Sequence, residues 1–266
     1  MQILDNRETA ADALDRLPST ICLTFDMDWA PDWCVEECVA LCRKANVKAT
    51  FFVTHVSPIL ESLREDPRFE LGIHPNFLPN SSHGDHPGEI MASVLAMVPE
   101  ARSMRTHALV QSWGLFGLIA DFFPRIETDV SLLLPMHPGL QPTDLFAGKS
   151  GRRITRLPYF WEDDTFAGFP SWQWQLPPPA AGLRIFDFHP VYLSLNMARM
   201  DGYREIKRRL GRRPLYEATR DDFAPFLNAD AGCRDVLTAL LRTTPADAFQ
   251  TVSEVTDEYR RRVSWM

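Results

Sequence analysis

The sequence predicts an α/β fold with a mainly parallel sheet, open or closed into a barrel. Three observations lead there. Short apolar runs bounded by polar residues alternate with stretches of helical spacing. Prolines collect between these stretches and not inside them, and the residues able to do chemistry fall at the ends of the apolar runs. Residues 21–25 (Ile-Cys-Leu-Thr-Phe) read as a buried strand, and Pro31-Asp32 then opens a helix to about Ala45, with Asp32 as its cap and Asn46 as its stop. Strands are predicted over 49–53 and 69–73, with a helix over 57–65 between them and another over 89–98. A short strand ending at 103–104 precedes a buried helix over 108–121, and 126–130 and 183–188 are further strands. Helices are expected near 202–210, 234–242 and 253–262. The stretches 135–153 and 169–182 read as long connections, the second rich in proline. No composition break divides the 266 residues, so a single domain is expected over 1–266, its C-terminal 200–266 a helical segment.

Composition excludes several classes of function. With 28 basic and 35 acidic residues the chain carries a net charge of −7, the wrong sign for a phosphate-backbone binder, and no nucleic-acid partner is expected. No run approaches the roughly 20 apolar residues of a membrane span. The first residues carry both charge signs without an apolar core, so no signal peptide is read there. Together with an odd count of 5 cysteines this predicts a cytoplasmic location. Cys34, Cys38 and Cys42 share one helical stripe, which favours small core residues over a soft-metal site.

The chemistry-bearing residues follow the strands. Asp26-Met27-Asp28-Trp29 ends the first one, and alternation lets Asp26 and Asp28 face the same site. Two carboxylates that close call for a cation. Gly72-Ile73-His74 ends the third strand, ahead of a loop bearing His83 and His86. Asp28 with His74 and a loop histidine makes a nitrogen-rich set suited to Zn²⁺. Arg105 and His107 follow the short fourth strand, His189 follows 183–188, and Trp161-Glu162-Asp163-Asp164 lies between them.

That order resembles the polysaccharide deacetylase superfamily, metal-dependent amide hydrolases of N-acetylated sugars. It is most similar to the WbmS-like branch, which is associated with bacterial O-antigen synthesis. Thr24-Phe25-Asp26-Met27-Asp28 is similar to the first motif, Ala49-Thr50-Phe51-Phe52-Val53 to the second strand, and Gly72-Ile73-His74 to the histidine motif. Arg105, the Trp161–Asp164 cluster and His189 stand where the later motifs belong. The likeness spans about 21–190. It implies a distorted (β/α) barrel, a divalent metal (Zn²⁺) held by Asp28, His74 and His83, Asp26 as general base oriented by Arg105, and His189 as general acid. Trp29, Trp161, Glu162, Asp163 and His107 are the expected substrate-side residues, and the expected partner is an amino-sugar substrate. The sequence departs from the pattern in three places. Met27 separates the two aspartates, Leu78 stands where the second metal histidine belongs, leaving His83 or His86, and Thr106-His107 replaces a proline after Arg105. Two rival readings are a sugar-binding homologue without turnover and a metal-dependent glycosyltransferase using Asp26-Met27-Asp28. Trp172 and Trp174 are further candidates for covering a sugar face.

Overall fold

Nine strands lie in one sheet: β1 (Ile21–Asp26), β2 (Ala49–Val53), β3 (Phe69–Ile73), β4 (Ser103–Met104), β5 (Thr128–Asp129), β6 (Thr143–Ala147), β7 (Arg152–Arg156), β8 (Trp161–Glu162) and β9 (Arg184–Phe188). They are seen in a computed structural model that describes residues 20–263. The leading segment, on which the signal-peptide expectation rests, lies outside the described residues. The order is β6-β7-β5-β4-β3-β2-β1-β9-β8, with every pair parallel except β6 with β7. Strands β1 and β2 are buried along their whole length, which is why they read as continuous apolar runs.

The sheet curls until its flanks meet. Only residues 157–160 separate β7 from β8, yet β7 pairs with β5 and β8 with β9. Within that stretch the Leu157 N–H donates to Asp129 O and the Tyr159 N–H to Leu132 O, both at 2.9 Å, before the Phe160 N–H turns to Ile185 O at 2.9 Å. One extended segment thus leaves the β5 flank and joins the β9 flank, giving the distorted barrel that the sequence leads one to expect.

The helices are α1 (Asp32–Ala45), α2 (Ile59–Arg64), α3 (Pro87–Met97), α4 (Trp113–Phe122), α5 (Asp163–Ala167), α6 (Pro190–Leu195), α7 (Asp201–Leu210), α8 (Arg220–Phe223), α9 (Cys233–Thr243) and α10 (Val252–Arg262). α1 stops as expected at Asn46, which takes the left-handed conformation (φ 53°) that asparagine tolerates. Its cap, however, is Pro31, and Asp32 instead accepts from Ser57 Oγ at 2.5 Å. Cys34, Cys38 and Cys42 are all buried in the core, where burial pushes their thiols up, Cys42 to about 12. They pack as small core residues.

Two departures from the sequence reading follow from local chemistry. The supposed connection 135–153 holds β6 and the start of β7, a hairpin turned over Gly148 and Gly151, both at positive φ. The predicted helix over 108–121 begins only at Trp113, because Ser112 Oγ accepts from the Leu115 N–H and caps it there. At the strands' N-terminal end α10 acts as a plug. The Val252 N–H donates to Thr50 Oγ1, Ser253 Oγ to Glu70, and Thr128 Oγ1 meets Thr256 Oγ1 at 2.8 Å. The opposite, C-terminal end stays open to the loops.

Candidate active site

Strand register sets the site. β1 lies between β2 and β9, and β4 beside β3, so Asp26, His74, Arg105, Asp187 and His189 all arrive at the C-terminal edge of neighbouring strands. Beyond β1 the chain turns sharply, with Asp28 (φ 43°) and Trp29 (φ 54°) both left-handed. Aspartate tolerates this; for tryptophan it costs about 1 kcal/mol, strain of the kind held where a side chain must be aimed. The turn is pinned by the Trp29 N–H donating to Thr54 Oγ1 at 2.9 Å.

The aim of Asp28 brings three donors together. Its Oδ1 lies 3.0 Å from His107 Nδ1 and 3.2 Å from His74 Nε2, and those nitrogens are 3.3 Å apart. Burial alone would raise the Asp28 pKa, but its hydrogen bonds with His107 and His74, and the charges of His74 and His189, hold it well below the carboxylate range. Burial likewise lowers His107, yet the bond to Asp28 wins and its pKa rises. Tetrahedral ligands at the usual zinc distances sit about 3.3 Å from one another. One carboxylate oxygen and two imidazole nitrogens already at that mutual spacing fit a divalent cation, and the mix of nitrogen and oxygen suits zinc.

His83 does not join them, contrary to the expectation that it would be the second metal histidine. Its Nε2–H donates to Thr54 O at 2.6 Å, its Nδ1 accepts from the Asn76 N–H at 3.1 Å, and its ring stacks on Trp29. Both nitrogens are committed, and the residue braces the loop. His86 is exposed at the start of α3. The histidine beside Asp28 and His74 is His107, reached through β4, which the sequence reading placed on the substrate side.

Asp26 belongs to a second, deeper cluster. Arg105, fully buried at 0% exposure, stacks between the rings of Phe52 and Tyr159, 4.7 and 4.5 Å from their centroids. Its Nη1 donates to Asp26 Oδ1 at 2.8 Å and also to Asp187 Oδ1, its Nη2 to Thr24 Oγ1 at 3.0 Å, and its Nε to Val130 O at 3.2 Å. Asp26, Asp187 and His189 also have donor atoms within 4.8 Å of one another. The guanidinium already supplies that group's positive charge. Asp187 escaped the sequence reading. Its signal was a lone carboxylate within the apolar run Ile185-Phe186-Asp187-Phe188, on the same strand face as His189. Burial pushes Asp187 well above the carboxylate range despite Arg105, and its Oδ2 is buried without a partner among the described residues.

His189 is held by Asp163, whose Oδ2 accepts from the His189 backbone N–H at 2.9 Å and whose Oδ1 accepts from Nδ1–H at 2.7 Å. Burial disfavours the imidazolium, but Asp163, with Asp28 beyond it, lifts its pKa well above the histidine range. Asp163 itself is raised by burial to about 6. The free Nε2 of His189 points into the site, 3.6 Å from Asp28 Oδ2. Glu162 makes no hydrogen bond to His189. It accepts from Tyr159 O–H at 2.9 Å and Thr165 Oγ1 at 2.6 Å, and burial pushes it up to about 8. Trp161 corrects another expectation. It is wholly buried among Phe166, Phe188 and Trp174 and has no face for a substrate. Trp29 is half-buried, its ring 5.3 Å from that of His107 at the mouth.

The sequence profile of the WbmS-like polysaccharide deacetylases matches residues 23–207. Curated proteins give no match. Among solved structures, a Bordetella bronchiseptica protein assigned as a polysaccharide deacetylase involved in O-antigen biosynthesis (WbmS) is 32% identical, with a TM-score of 0.73 over 86% of this chain and 92% of that one. The Xyl-CE4 domain of a multidomain xylanase from the hindgut metagenome of Trinervitermes trinervoides is 14% identical (TM-score 0.42, 92% and 94% covered). A family 4 acetyl xylan esterase from Clostridium thermocellum in complex with a cobalt ion is 13% identical (TM-score 0.39, 90% and 91% covered). On the extent of the profile match and the likeness to the Bordetella protein, the chain belongs to the WbmS-like polysaccharide deacetylase family.

Proposed function

We propose that the protein is a metal-dependent amide hydrolase that removes an N-acyl group, in the first instance acetyl, from an amino sugar of a bacterial surface polysaccharide or its precursor. The observation that carries this reading is the convergence of three metal-type donors, from Asp28, His74 and His107, beside an arginine-held carboxylate and an aspartate-held imidazole. Asp28, His74 and His107 would hold the divalent ion, zinc by donor type. Such an ion supplies Lewis-acid polarisation of the amide carbonyl and a lowered pKa for a coordinated water.

Asp26 takes the proton from the attacking water. Its Oδ1 is tied to Arg105, while Oδ2 faces His74 Nε2 at 3.5 Å and so looks into the site. His189 gives the proton that turns the amide nitrogen into a leaving amine, and Asp163 fixes its tautomer so that Nε2–H faces outward. Trp29 forms the wall of the mouth against the sugar. The glycosyltransferase reading leaves His189 and Arg105 without work, whereas here each has a part. The leucine at position 78 argued for a module without turnover, and His107 supplies the donor that Leu78 lacks.

The test is release of acetate with an equal amount of free amine from a panel of N-acetylated hexosamine glycans. It is expected to be lost with a chelator and restored by zinc. Asp26→Asn should keep the metal and lose turnover by about 10²- to 10⁴-fold. Stoichiometric metal with no acetate from any glycan overturns the hydrolase assignment and leaves the binding module.

A further inference from the structure

A strongly basic surface flanks the mouth of this acidic protein. Between residues 201 and 213 stand Arg204, Lys207, Arg208, Arg209, Arg212 and Arg213 against Asp201 and Glu205, a local charge of +4. The whole chain carries −7, so everything outside these thirteen residues sums to −11. All six cations are exposed. Four of them are paired: Arg204 with Asp201 at 4.0 Å, Arg208 and Arg209 with a shared Glu205, and Arg213 with Asp222. Among the described residues Lys207 and Arg212 make no ion pair. Helix α7 carries four of the six and is seated through Ile206, which is wholly buried.

Its position relates it to the site. The Tyr203 ring lies 4.9 Å from that of Tyr192, which lies 4.7 Å from that of His189. The basic helix therefore begins two aromatic rings from the proposed general acid. Apolar groups border it. Phe226 lies against Gly202 and under the Arg209 guanidinium (4.6 Å), its neighbour Leu227 is 58% exposed, and Tyr216 is 45% exposed while its ring stacks on His55.

We propose that this face, α7 with the 211–213 turn and the adjoining Tyr216 and Leu227, docks the protein onto an anionic phospholipid surface, with the mouth facing its glycan there. A row of cations along a helix of ten residues, about 15 Å long, exceeds what one diphosphate would engage. Exposed leucine and tyrosine beside it suit the boundary between headgroups and acyl chains and do nothing for a nucleic-acid backbone. The inference rests on the deacetylase reading for its purpose, since it places the substrate at a membrane, but its test needs neither substrate nor metal.

The full chain is sedimented with large vesicles of phosphatidylcholine mixed with phosphatidylserine, and with vesicles of phosphatidylcholine alone. Binding to the mixed vesicles only, falling steeply as salt shortens the screening length, is expected. At about fivefold per cation, the triple variant K207Q/R208Q/R212Q should bind about a hundredfold more weakly, with its thermal melt unchanged. A parallel R242Q/R261Q/R262Q variant, which neutralises three basic residues outside this face, should bind like the wild type. No binding to the mixed vesicles, equal binding to phosphatidylcholine alone, equal loss in both triple variants, or tighter binding to duplex DNA than to vesicles would each overturn the proposal. None of these outcomes bears on acetate release, so a failure here and a failure of the deacetylase reading are told apart.

Discussion

Asp26 and Asp28 stand two residues apart at the end of one strand, yet they sit in clusters of opposite design. Around Asp28 the partners are two imidazoles, and the three donor atoms hold one another at 3.0 to 3.3 Å near the mouth. Around Asp26 the partner is a guanidinium wholly buried between two aromatic rings and shared with a second aspartate. An imidazole must give up its proton before it can ligate a cation, whereas Arg105 keeps its positive charge permanently. One cluster therefore lacks a permanent cation, and the other carries its own. Separating them by the Met27 turn keeps the proposed base out of the proposed ligand set.

The contrast breaks most visibly at Arg105. Arg105→Met keeps much of the packing volume between Phe52 and Tyr159 but leaves Asp26 and Asp187 buried without their cation. It should lower the unfolding free energy by about 3–5 kcal/mol, measured in urea. Adding Asp187→Asn to that variant removes one stranded carboxylate and should recover part of the loss. A single variant as stable as the wild type would mean that the deeper cluster does not depend on its arginine. The shallow cluster is sharpened by comparing two histidines. His107→Ala should weaken zinc binding by at least about a hundredfold in competition with a chromogenic chelator. His83→Ala, which loses the hydrogen bonds to Thr54 and Asn76 and the stacking on Trp29, should leave it unchanged. The reverse result would return the second histidine to the loop.

That pair of histidines also marks how far the sequence could be read. Strands β1, β2, β3 and β9 were legible because burial writes itself as a mostly apolar run, broken in β3 only at Glu70 and in β9 at Arg184 and Asp187, and the residues at their ends followed. His107 was visible as a residue but not as a neighbour of His74. Proximity along the chain favoured His83, nine positions on, while the sheet order, which sets β4 directly beside β3, favoured His107. Pairing of distant strands is not a local property. The same holds for Asp187, whose importance comes from lying opposite Thr24 across the β1–β9 pair. β7 was missed for another reason. Its Arg152 is spent on the carbonyls of Ala120, Pro124 and Ile126 at the end of α4, so a half-buried strand looks charged.

Glu162 offers the finest test, because it adjoins the Asp163–His189 pair without contacting it. Burial, with the nearby charge of Asp164, raises its pKa from an ordinary 4.5 to about 8, against the opposing influence of His189, Thr165 and Tyr159. Between those two values the unfolded chain is ionised at this position while the folded protein keeps its proton. The folded state then binds more protons than the unfolded one, so this group's contribution to stability falls as pH rises from about 4.5 to about 8. Glu162→Gln removes the titration while leaving an amide to meet Tyr159 and Thr165. The variant should fall slightly below the wild type near pH 4, where one hydrogen bond is weakened, and exceed it at pH 8 by about 1–2 kcal/mol. Paired urea titrations at the two pH values measure that gap. A gap that stays constant with pH would mean that Glu162 is ionised in the folded protein. Its charge would then have to be counted with Asp163 in holding His189, and the acid end of the site would rest on two carboxylates instead of one.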